Sequence, residues 1–321
     1  MKIVSLFSGA GGLDLGLKQA GHNIVWANDI FADAVATYRH NIGNHIHLQD
    51  ILEVPSSEIP GCDIVVGGFP CQGFSMANRT RHAADPRNVL FHQMVRVISD
   101  KQPRYFIAEN VKGLLSMDKG QVLADIKAEF VAAGYRVEHH LVNAADYGVP
   151  QSRWRVLIAG VRNDEPWLPT FPPPPTHADP FLAHGLGLKP WRAVGEALSH
   201  FPPPDGGAII PNHDASRYKL RFNGHLGHRV IDPLRPSPTV TARGDERGGV
   251  VVLHHPDNLR RMTARELAAV QSFPDDFVFS GTKTSAYRQI ANAVPPLLGK
   301  AIGLLLSKAD APSGRASSEA A

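Results

Sequence analysis

Short apolar segments alternate with longer amphipathic segments through the first 165 residues, and this alternation constrains the fold more than any other feature of the chain. The short segments have the length and composition of buried strands, and the longer ones carry apolar residues at helical spacing. Strands that alternate with helices predict an α/β fold with a parallel sheet covered on both faces, in which ligands bind at the carboxyl ends of the strands. The predicted strands are residues 2–7, 24–27, 63–66, 105–108 and 155–161, and the predicted helices are residues 13–20, 32–40, 88–100 and 120–133.

A proline run, Phe171-Pro172-Pro173-Pro174-Pro175, marks a change of composition. Proline lacks a backbone N–H, so this run cannot extend a helix or a central strand. The residues that follow are rich in Pro, Gly, His and Arg, which predicts a smaller, loop-rich second domain over residues 171–284; apolar clusters within it argue against a disordered linker. Within it a helix is predicted at residues 262–271, because Thr263 and Glu266 have the spacing of a capping box. Residues 1–170 and 285–321 form the first domain in this interpretation, with the last dozen residues disordered.

Composition excludes several classes of protein. Of the 321 residues, 43% are hydrophobic and 20% are charged, which is typical of a chain with a substantial core. The two cysteines, Cys62 and Cys71, are too few for a disulfide framework, and the 16 histidines lack zinc-site spacing, so no metal is expected. The N-terminus lacks the pattern of a signal peptide and no apolar run approaches a membrane span, so we expect a cytoplasmic protein. A net charge of +3 and a pI of 8.9 permit nucleic-acid binding without requiring it.

A glycine-rich turn, Phe7-Ser8-Gly9-Ala10-Gly11-Gly12-Leu13-Asp14, directly follows the first predicted strand. Glycines at this place let the backbone approach a ligand at a helix N-terminus, although a turn that serves only the fold is the alternative. The spacing is not the G-x-G-x-x-G of a dinucleotide site. Asp29 follows the second strand, where a carboxylate can bind both ribose hydroxyls, and Asp50 follows a third apolar segment. Each acid alone is more often a cap or turn residue, but together with the glycines they predict a nucleoside pocket.

The most specific motif is Phe69-Pro70-Cys71-Gln72, which follows an apolar strand. A cysteine in a loop at the carboxyl end of a strand is expected to be partly exposed, and nearby helix N-termini or arginines would lower its pKa and favour the nucleophilic thiolate. Cys62 instead directly precedes a strand and fits a buried structural thiol better. Cys71 is therefore the candidate nucleophile.

These motifs, in this order, resemble those of the bacterial DNA (cytosine-5)-methyltransferases over residues 1–165 and 228–305. Asp29 departs from the family pattern, which usually has Glu there, and Ala291 replaces the usual Gly before Asn292. Neither change removes a functional group that the reaction needs. The further matching blocks are Glu109-Asn110-Val111, Gln151-Ser152-Arg153-Trp154-Arg155, Arg235-Pro236-Ser237-Pro238-Thr239-Val240-Thr241-Ala242 and Tyr287-Arg288-Gln289-Ile290-Ala291-Asn292-Ala293-Val294-Pro295.

The resemblance implies a Rossmann-like, S-adenosylmethionine-dependent methyltransferase domain with a smaller, loop-rich target-recognition domain. It implies methyl transfer to C5 of a cytosine flipped out of double-stranded DNA, through a covalent bond between Cys71 and C6 of the ring. Glu109, protonated or sharing a proton with N3, would contact the ring, and Arg153 and Arg155 would reach O2 and the flanking phosphate. The implied cofactor contacts are Phe7, Gly9, Gly11, Gly12, Asp29, Ile30, Asp50, Ile51, Leu90 and Asn292.

DNA-binding candidates follow from the same resemblance. Ser75 would hold the phosphate backbone, and the other candidates lie in the second domain, where Arg and Asn are good partners for base edges. Each of these is equally interpretable as a phosphate contact or an exposed loop residue. They are Arg221, Asn223, His225, Arg243 and Arg247.

Three other functions compete with this hypothesis. An amino-group DNA methyltransferase would need an Asp/Asn-Pro-Pro-aromatic loop, which Phe69-Pro70-Cys71 does not supply. A tRNA cytosine methylase of the same fold fits the long Pro- and Gly-rich segment less well, and a non-catalytic DNA-binding regulator would not need the catalytic positions. The resemblance also implies a monomer that acts in a restriction-modification system beside a cognate endonuclease. The N-terminal blocks and Ile210-Pro211-Asn212-His213 resemble those of the GGCC-methylating members.

Overall fold

The computed structural model describes residues 1–70, 89–168, 170–204, 206–207, 209–216, 219–223, 228–242 and 251–310. Five predicted site residues lie outside the described residues: Cys71, Ser75, His225, Arg243 and Arg247.

A seven-stranded sheet forms the centre of the molecule, with strand order β3-β2-β1-β4-β5-β7-β6. The first five strands run parallel, which confirms the predicted α/β class, but β7 pairs antiparallel with both β5 and β6. The expectation of an all-parallel sheet was therefore wrong at this edge, and the antiparallel pairing brings the start of β7 to the carboxyl end of β5. The strands are β1 (Lys2–Leu6), β2 (Asn23–Asp29), β3 (Ile46–Leu48), β4 (Ile64–Gly67), β5 (Tyr105–Val111), β6 (Tyr135–Asn143) and β7 (Trp154–Arg162).

Helices cover both faces of the sheet, because alternate residues of the central strands are apolar and buried on each side. One core contains the inward side chains of α1, α2, α7, α8 and α9, and the other contains those of α3 and α4. The helices are α1 (Gly12–Gln19), α2 (Ala32–Asn41), α3 (Val89–Lys101), α4 (Gln121–Ala132), α5 (Pro180–Leu186), α6 (Val194–Leu198), α7 (Ala264–Val270), α8 (Lys283–Asn292) and α9 (Pro296–Asp310). Turns of 3-10 helix occur at Ser56–Glu58, Lys112–Gly120 and Ala144–Tyr147.

The C-terminal helix packs directly on the first helix of the chain through glycines. A Cβ at Gly16 of α1 would lie 2.2 Å from the carbonyl oxygen of Pro296, and a Cβ at Gly299 of α9 would lie 2.7 Å from the carbonyl oxygen of Leu13. Larger residues at either position would separate the two helices. The segment Lys283–Ala309 is long and apolar enough to cross a membrane, judged by length and composition alone. However, 61% of its most apolar 18-residue stretch is buried inside the protein.

The loop-rich segment, residues 171–263, contains little regular structure among its described residues. Its strands, β8 (His177–Ala178) and β9 (Lys189–Pro190), pair in a separate two-stranded sheet. Its apolar residues nevertheless belong to the same core as α1 and α9. The helix predicted at residues 262–271 is present as α7, and Thr263 and Glu266 form the predicted capping box.

Candidate active site

One cavity of about 770 Å³ opens at the carboxyl edge of the sheet, where the α/β fold predicts a ligand site. It is lined by the ends of β1, β2, β4 and β5, by the start of β7 and by the α8–α9 junction. Seven predicted site residues line it: Phe7, Gly9, Asp29, Glu109, Arg153, Arg155 and Asn292.

The glycine-rich turn forms one wall of the cavity. Phe7 and Gly9 have positive φ angles of 55°, which bend the chain sharply after β1. Gly11 and Gly12 serve packing and do not line the cavity. A Cβ at Gly11 would lie 2.2 Å from Ile42 Cδ1, and one at Gly12 would lie 2.3 Å from the carbonyl oxygen of Val294. For these two glycines the group that approaches closely is the protein itself, and their contact with a cofactor stays a prediction.

Asp29 ties the end of β2 to the glycine-rich turn. Its Oδ2 accepts from the Gly9 N–H at 2.8 Å, and its Oδ1 accepts from the Phe31 N–H at 2.8 Å. Burial raises the pKa of Asp29, while the backbone N–H groups of Phe31, Gly9 and Ile30 lower it. Each carboxylate oxygen keeps further acceptor capacity, which suits the hydroxyls of a ribose.

Asp14 is a buried acid of this site that the sequence interpretation did not single out. It is fully buried, and it accepts hydrogen bonds from the Ser5 hydroxyl at 2.7 Å and the Tyr38 hydroxyl at 2.8 Å. The Ser5 hydroxyl also lies 3.0 Å from Ser8 Oγ, and Tyr38 Oη lies 2.9 Å from His45 Nε2. Burial raises the pKa of Asp14 to about 6, although both hydroxyls lower it. A lone Asp in the first turn of a helix is normally a favourable terminal charge, which is why sequence alone does not reveal this network.

At the other end of the cavity Glu109 and Arg155 form an ion pair, with 2.7 Å between Arg155 Nε and Glu109 Oε1. Both side chains are about nine-tenths buried, with exposures of 12% and 11%. The strand register explains the contact: Val111 of β5 lies opposite Arg155 of β7, so Glu109, two residues back, shares the same face. A Cβ at Gly68 would lie 3.2 Å from Glu109 Oε2, so the glycine leaves space beside the carboxylate.

The Asn110 side chain points to the opposite face of the sheet from Glu109, and it holds the backbone at Phe69, two residues before Cys71. Its Nδ2 donates to the carbonyl oxygen of Phe69 at 3.1 Å, and Phe69 is buried under α3. Pro70, the last residue described before Cys71, lines the cavity. The chain is thus directed from β4 past Glu109 toward the predicted nucleophile.

Arg153 lines the cavity but uses its terminal nitrogens within the protein. Nη1 donates to the carbonyl oxygen of Val240 at 2.9 Å, and Nη2 donates to those of Ala291 at 2.8 Å and Ala293 at 3.0 Å. Burial lowers the pKa of Arg153, Arg155 lowers it further and Glu109 raises it. The geometry makes Arg153 a brace between β7, the 235–242 block and the α8–α9 junction; its contact with substrate stays a prediction.

The remaining predicted residues lie around the cavity. Ile30 is 67% exposed beside Asp29, Ile51 is buried, and Asp50 accepts from the Leu52 N–H at 3.0 Å. Leu90 packs against the core under α3. Arg221 and Asn223 lie on the exposed part of the loop-rich segment, away from the cavity lining. Within the described residues, no group of three His, Cys, Asp or Glu side chains could hold a metal ion.

Comparisons with known proteins show which sequences and which fold this chain resembles. Residues 1–184 and 208–308 match the family model of the C-5 cytosine-specific DNA methylases. The type II methyltransferase M.NgoFVII of Neisseria gonorrhoeae is 41% identical over 322 aligned positions, which cover 92% of this chain and 83% of that protein. The type II methyltransferase M.BsuRI of Bacillus subtilis is 35% identical and covers 94% and 78%. The crystal structure of the S. pombe Dnmt2 methyltransferase superposes with a TM-score of 0.65 at 20% identity, over 96% of this chain and 99% of that one, and thus has the same fold.

Proposed function

The chain belongs to the C-5 cytosine-specific DNA methylase family, and we propose that it transfers the methyl group of S-adenosylmethionine to C5 of a cytosine flipped out of duplex DNA. One observation carries the proposal: a nucleoside-binding end and the Glu109–Arg155 pair face the same cavity. Both reactants can therefore meet in one enclosed space, which is what a direct methyl transfer requires.

The residues at the first end fit S-adenosylmethionine. Asp29 would accept from the ribose hydroxyls, and the exposed Ile30 and the ring of Phe7 would pack on the adenine. Asn292, at the end of α8, would close the methionine side. Asp50, Ile51 and Leu90 would bound the adenine from the outer side. The cofactor supplies an activated methyl group on sulfur, and these residues bind and orient it.

The residues at the second end would activate cytosine, whose C5 is a poor nucleophile. The Cys71 thiolate would add to C6, which places negative charge on the ring and makes C5 an enamine carbon able to take the methyl group. Loss of the C5 proton to water and elimination of the thiolate would then restore the aromatic ring. Methyl transfer would break the C–S bond between the methyl group and the cofactor's sulfur, and the elimination would break the C6–S bond and regenerate the Cys71 thiolate.

Glu109 and Arg155 would hold the two polar edges of the ring. Arg155 would donate to O2, and Glu109, protonated or sharing a proton with N3, would contact N3 and the 4-amino group, so that the proton at N3 stabilises the charge that the thiolate adds. Their 2.7 Å contact places both groups within reach of one pyrimidine. Arg153 would act chiefly by fixing β7 in place, because its Nη atoms donate to backbone carbonyls.

DNA would bind across the cavity mouth, with the loop-rich segment reading the sequence. Unstacking the target base costs a few kcal/mol, which contacts to the flanking DNA would offset. Gln151 and Ser152 bind the 235–242 block, since Gln151 Oε1 accepts from the Val240 N–H at 2.9 Å and the Ser152 N–H donates to Ser237 at 2.8 Å. We propose residues 171–284 as a target-recognition domain on a catalytic domain of residues 1–170 and 285–321, and these hydrogen bonds would attach one to the other. We further propose a cytoplasmic monomer that modifies DNA in a restriction-modification system with a cognate endonuclease.

Replacing the nucleophile tests the proposal. Cys71→Ser is expected to abolish tritium transfer from labelled S-adenosylmethionine to duplex DNA while leaving S-adenosylhomocysteine binding unchanged by calorimetry. Bisulfite sequencing of DNA from a host that expresses the wild type should show protected cytosines in one sequence context. Near-normal activity of the variant, fully converted host DNA, or transfer to tRNA in place of duplex DNA would each overturn it.

A further inference from the structure

An exposed tryptophan and a lysine lie beside the Glu109–Arg155 pair. Lys112 Nζ lies 5.6 Å from the ring centroid of Trp154, within the range of a cation–π contact. Trp154 is the first residue of β7 and Lys112 directly follows β5, so each is next in sequence to one of the register partners Val111 and Arg155. The pair therefore lies at the carboxyl edge of the sheet, next in sequence to the cavity-lining residues Val111 and Arg155.

Trp154 is the most exposed of the four tryptophans. Trp154 is 41% exposed, whereas Trp26 is 5% exposed and the other two tryptophans are partly buried. Val111, which lines the cavity beside it, is 42% exposed. An aromatic ring and an aliphatic side chain open to water beside a polar site are typical of a surface that becomes covered when a partner binds.

The charge of Lys112 remains available for a ligand. Among the described residues, no carboxylate lies within 4 Å of its ammonium, whereas the neighbouring Arg155 is paired with Glu109. The ring of Trp154 restrains the lysine side chain without neutralising it. An exposed cation held beside an exposed indole offers one group for a phosphate and one for a sugar or base.

The position of Trp154 on the sheet indicates which of the two reactants lies beside it. The nucleoside-binding residues, Asp29 and Asn292 among them, lie on the face covered by α1 and α8. Successive strand residues point to opposite faces, so Trp154 lies on the other face from Arg155, the face on which Phe69, two residues before Cys71, is buried. A cytosine bound by Glu109 and Arg155 must have its sugar and phosphates at the cavity mouth.

We propose that Lys112 and Trp154 form a binding surface for the DNA strand that carries the flipped cytosine, with the Lys112 ammonium on a phosphate and the Trp154 indole packed on the adjacent sugar or base. This inference rests on the proposed function, because it takes duplex DNA as the substrate. The alternative is a surface pair that only stabilises the fold.

The two residues have different expected signatures, which makes the test specific. A single phosphate contact contributes about 0.9 to the slope of log K against log salt concentration, and stacking contributes affinity without salt dependence. Binding is measured by anisotropy with a labelled 30-base-pair duplex of mixed sequence between 50 and 200 mM salt. Lys112→Gln should weaken binding several-fold and reduce the slope by about 0.9. Trp154→Ala should weaken binding about tenfold with the slope unchanged, and it should remove part of the tryptophan fluorescence change on DNA addition.

The chain supplies a matched control. Arg136 lies over the ring of Trp167 at 5.7 Å, which is another cation–π contact. It lies level with the amino end of β5, whereas Lys112 and Trp154 lie at the carboxyl end. Arg136→Gln removes the same charge and should leave affinity and slope unchanged. Trp154→Phe should restore most of the affinity lost in Trp154→Ala, which excludes misfolding, and S-adenosylhomocysteine affinity should be unchanged in all variants.

Two results would overturn the inference: a slope for Lys112→Gln equal to that of Arg136→Gln, or a wild-type fluorescence response and affinity in Trp154→Ala. Either can occur while the wild type still methylates duplex DNA, in which case the proposed function stands alone. A wild type that methylates no duplex DNA would remove the proposed function itself, and with it this inference.

Discussion

The sheet and the loop-rich segment hold their backbones in different ways. In the sheet, neighbouring strands satisfy one another's N–H and C=O groups. In the loop-rich segment, buried arginines donate to isolated carbonyls instead: Arg153 and Arg265 of adjoining elements donate to Val240 and Pro211, and Arg261 within the segment donates to Val252 and Lys219. A guanidinium has five donors, so one side chain can fix several turns of irregular chain. Substitutions in the exposed parts of this segment are then expected to leave the cavity unchanged.

Removing one of these arginines should produce the largest change in stability. Arg265 is fully buried and donates to the carbonyl oxygens of Pro211, Pro274 and Phe277. Arg265→Leu would leave these acceptors without a partner, and we expect a loss of about 4 kcal/mol in the free energy of unfolding by urea denaturation. Arg192→Leu, which removes only a 3.7 Å surface pair with Glu196, should cost less than about 1 kcal/mol. Equal losses would show that the buried arginines are not what organises the segment.

A pair of glycine substitutions compares packing in the two regions. Gly11 and Gly187 both have positive φ, of 84° and 65°, but a Cβ at Gly11 meets Ile42 at 2.2 Å while one at Gly187 meets nothing within 4 Å. Gly11→Ala should cost about 3 kcal/mol, because overpacking adds to backbone strain, and Gly187→Ala should cost about 1 kcal/mol. Thermal unfolding measures both, and a larger loss at Gly187 would contradict the difference in packing.

The buried acid in the first region should make stability depend on pH. The pKa of Asp14 is raised from 3.8 to about 6 in the folded state, so the folded protein holds this proton more tightly than the unfolded chain. The stabilisation of the folded state by this bound proton is complete below about pH 4. It is lost as the pH rises through 6, which lowers the free energy of unfolding by up to roughly 3 kcal/mol. The unfolding free energy of Asp14→Asn relative to wild type should therefore rise between pH 5 and 7.5. His45, whose pKa is lowered by burial, lies 2.9 Å from the Tyr38 hydroxyl oxygen. Its own titration affects wild type and variant alike, so their unfolding free energies are compared at each pH. A constant difference would contradict it.

The smallest effect is expected on the exposed surface of the loop-rich segment. Burial lowers the pKa of Arg261, and the nearby charge of Arg221 lowers it further. If Arg221 contacts a phosphate, Arg221→Gln should weaken binding to every duplex a few-fold and reduce the slope of log K against log salt concentration by about 0.9. If Arg221 contacts a base edge, the same substitution should broaden the range of sequences in which bisulfite sequencing finds methylated cytosine. No effect on either measurement would exclude Arg221 from the interface.

Much of the first region could be predicted from its sequence, because periodicity and glycine stops mark strands and helices directly. The strand β6 was missed, since its partly exposed pattern and its pair His139-His140 do not resemble a buried strand. The reversal of β7 could not be predicted, because hydrophobic pattern does not encode strand direction.

The site divides in the same way. Asp29, Glu109 and Arg155 occupy the cavity because motif position and strand ends coincide. Asp14 escaped prediction because its partners, Ser5 and Tyr38, come from other elements. The donors of Arg153 were expected on the substrate, but their carbonyl partners lie 87 to 140 residues away in sequence, which no local pattern reveals.

The packing of the last helix on the first has a consequence for synthesis of the protein. Residues Arg288 to Val294 complete the cavity wall, and α9 covers α1 through Gly16 and Gly299. A nascent chain that has left the ribosome only as far as β7 therefore has its strands and its catalytic pair but no closed cofactor site. We therefore expect methylation to require that α9 has left the ribosome, because the cavity wall is incomplete before then.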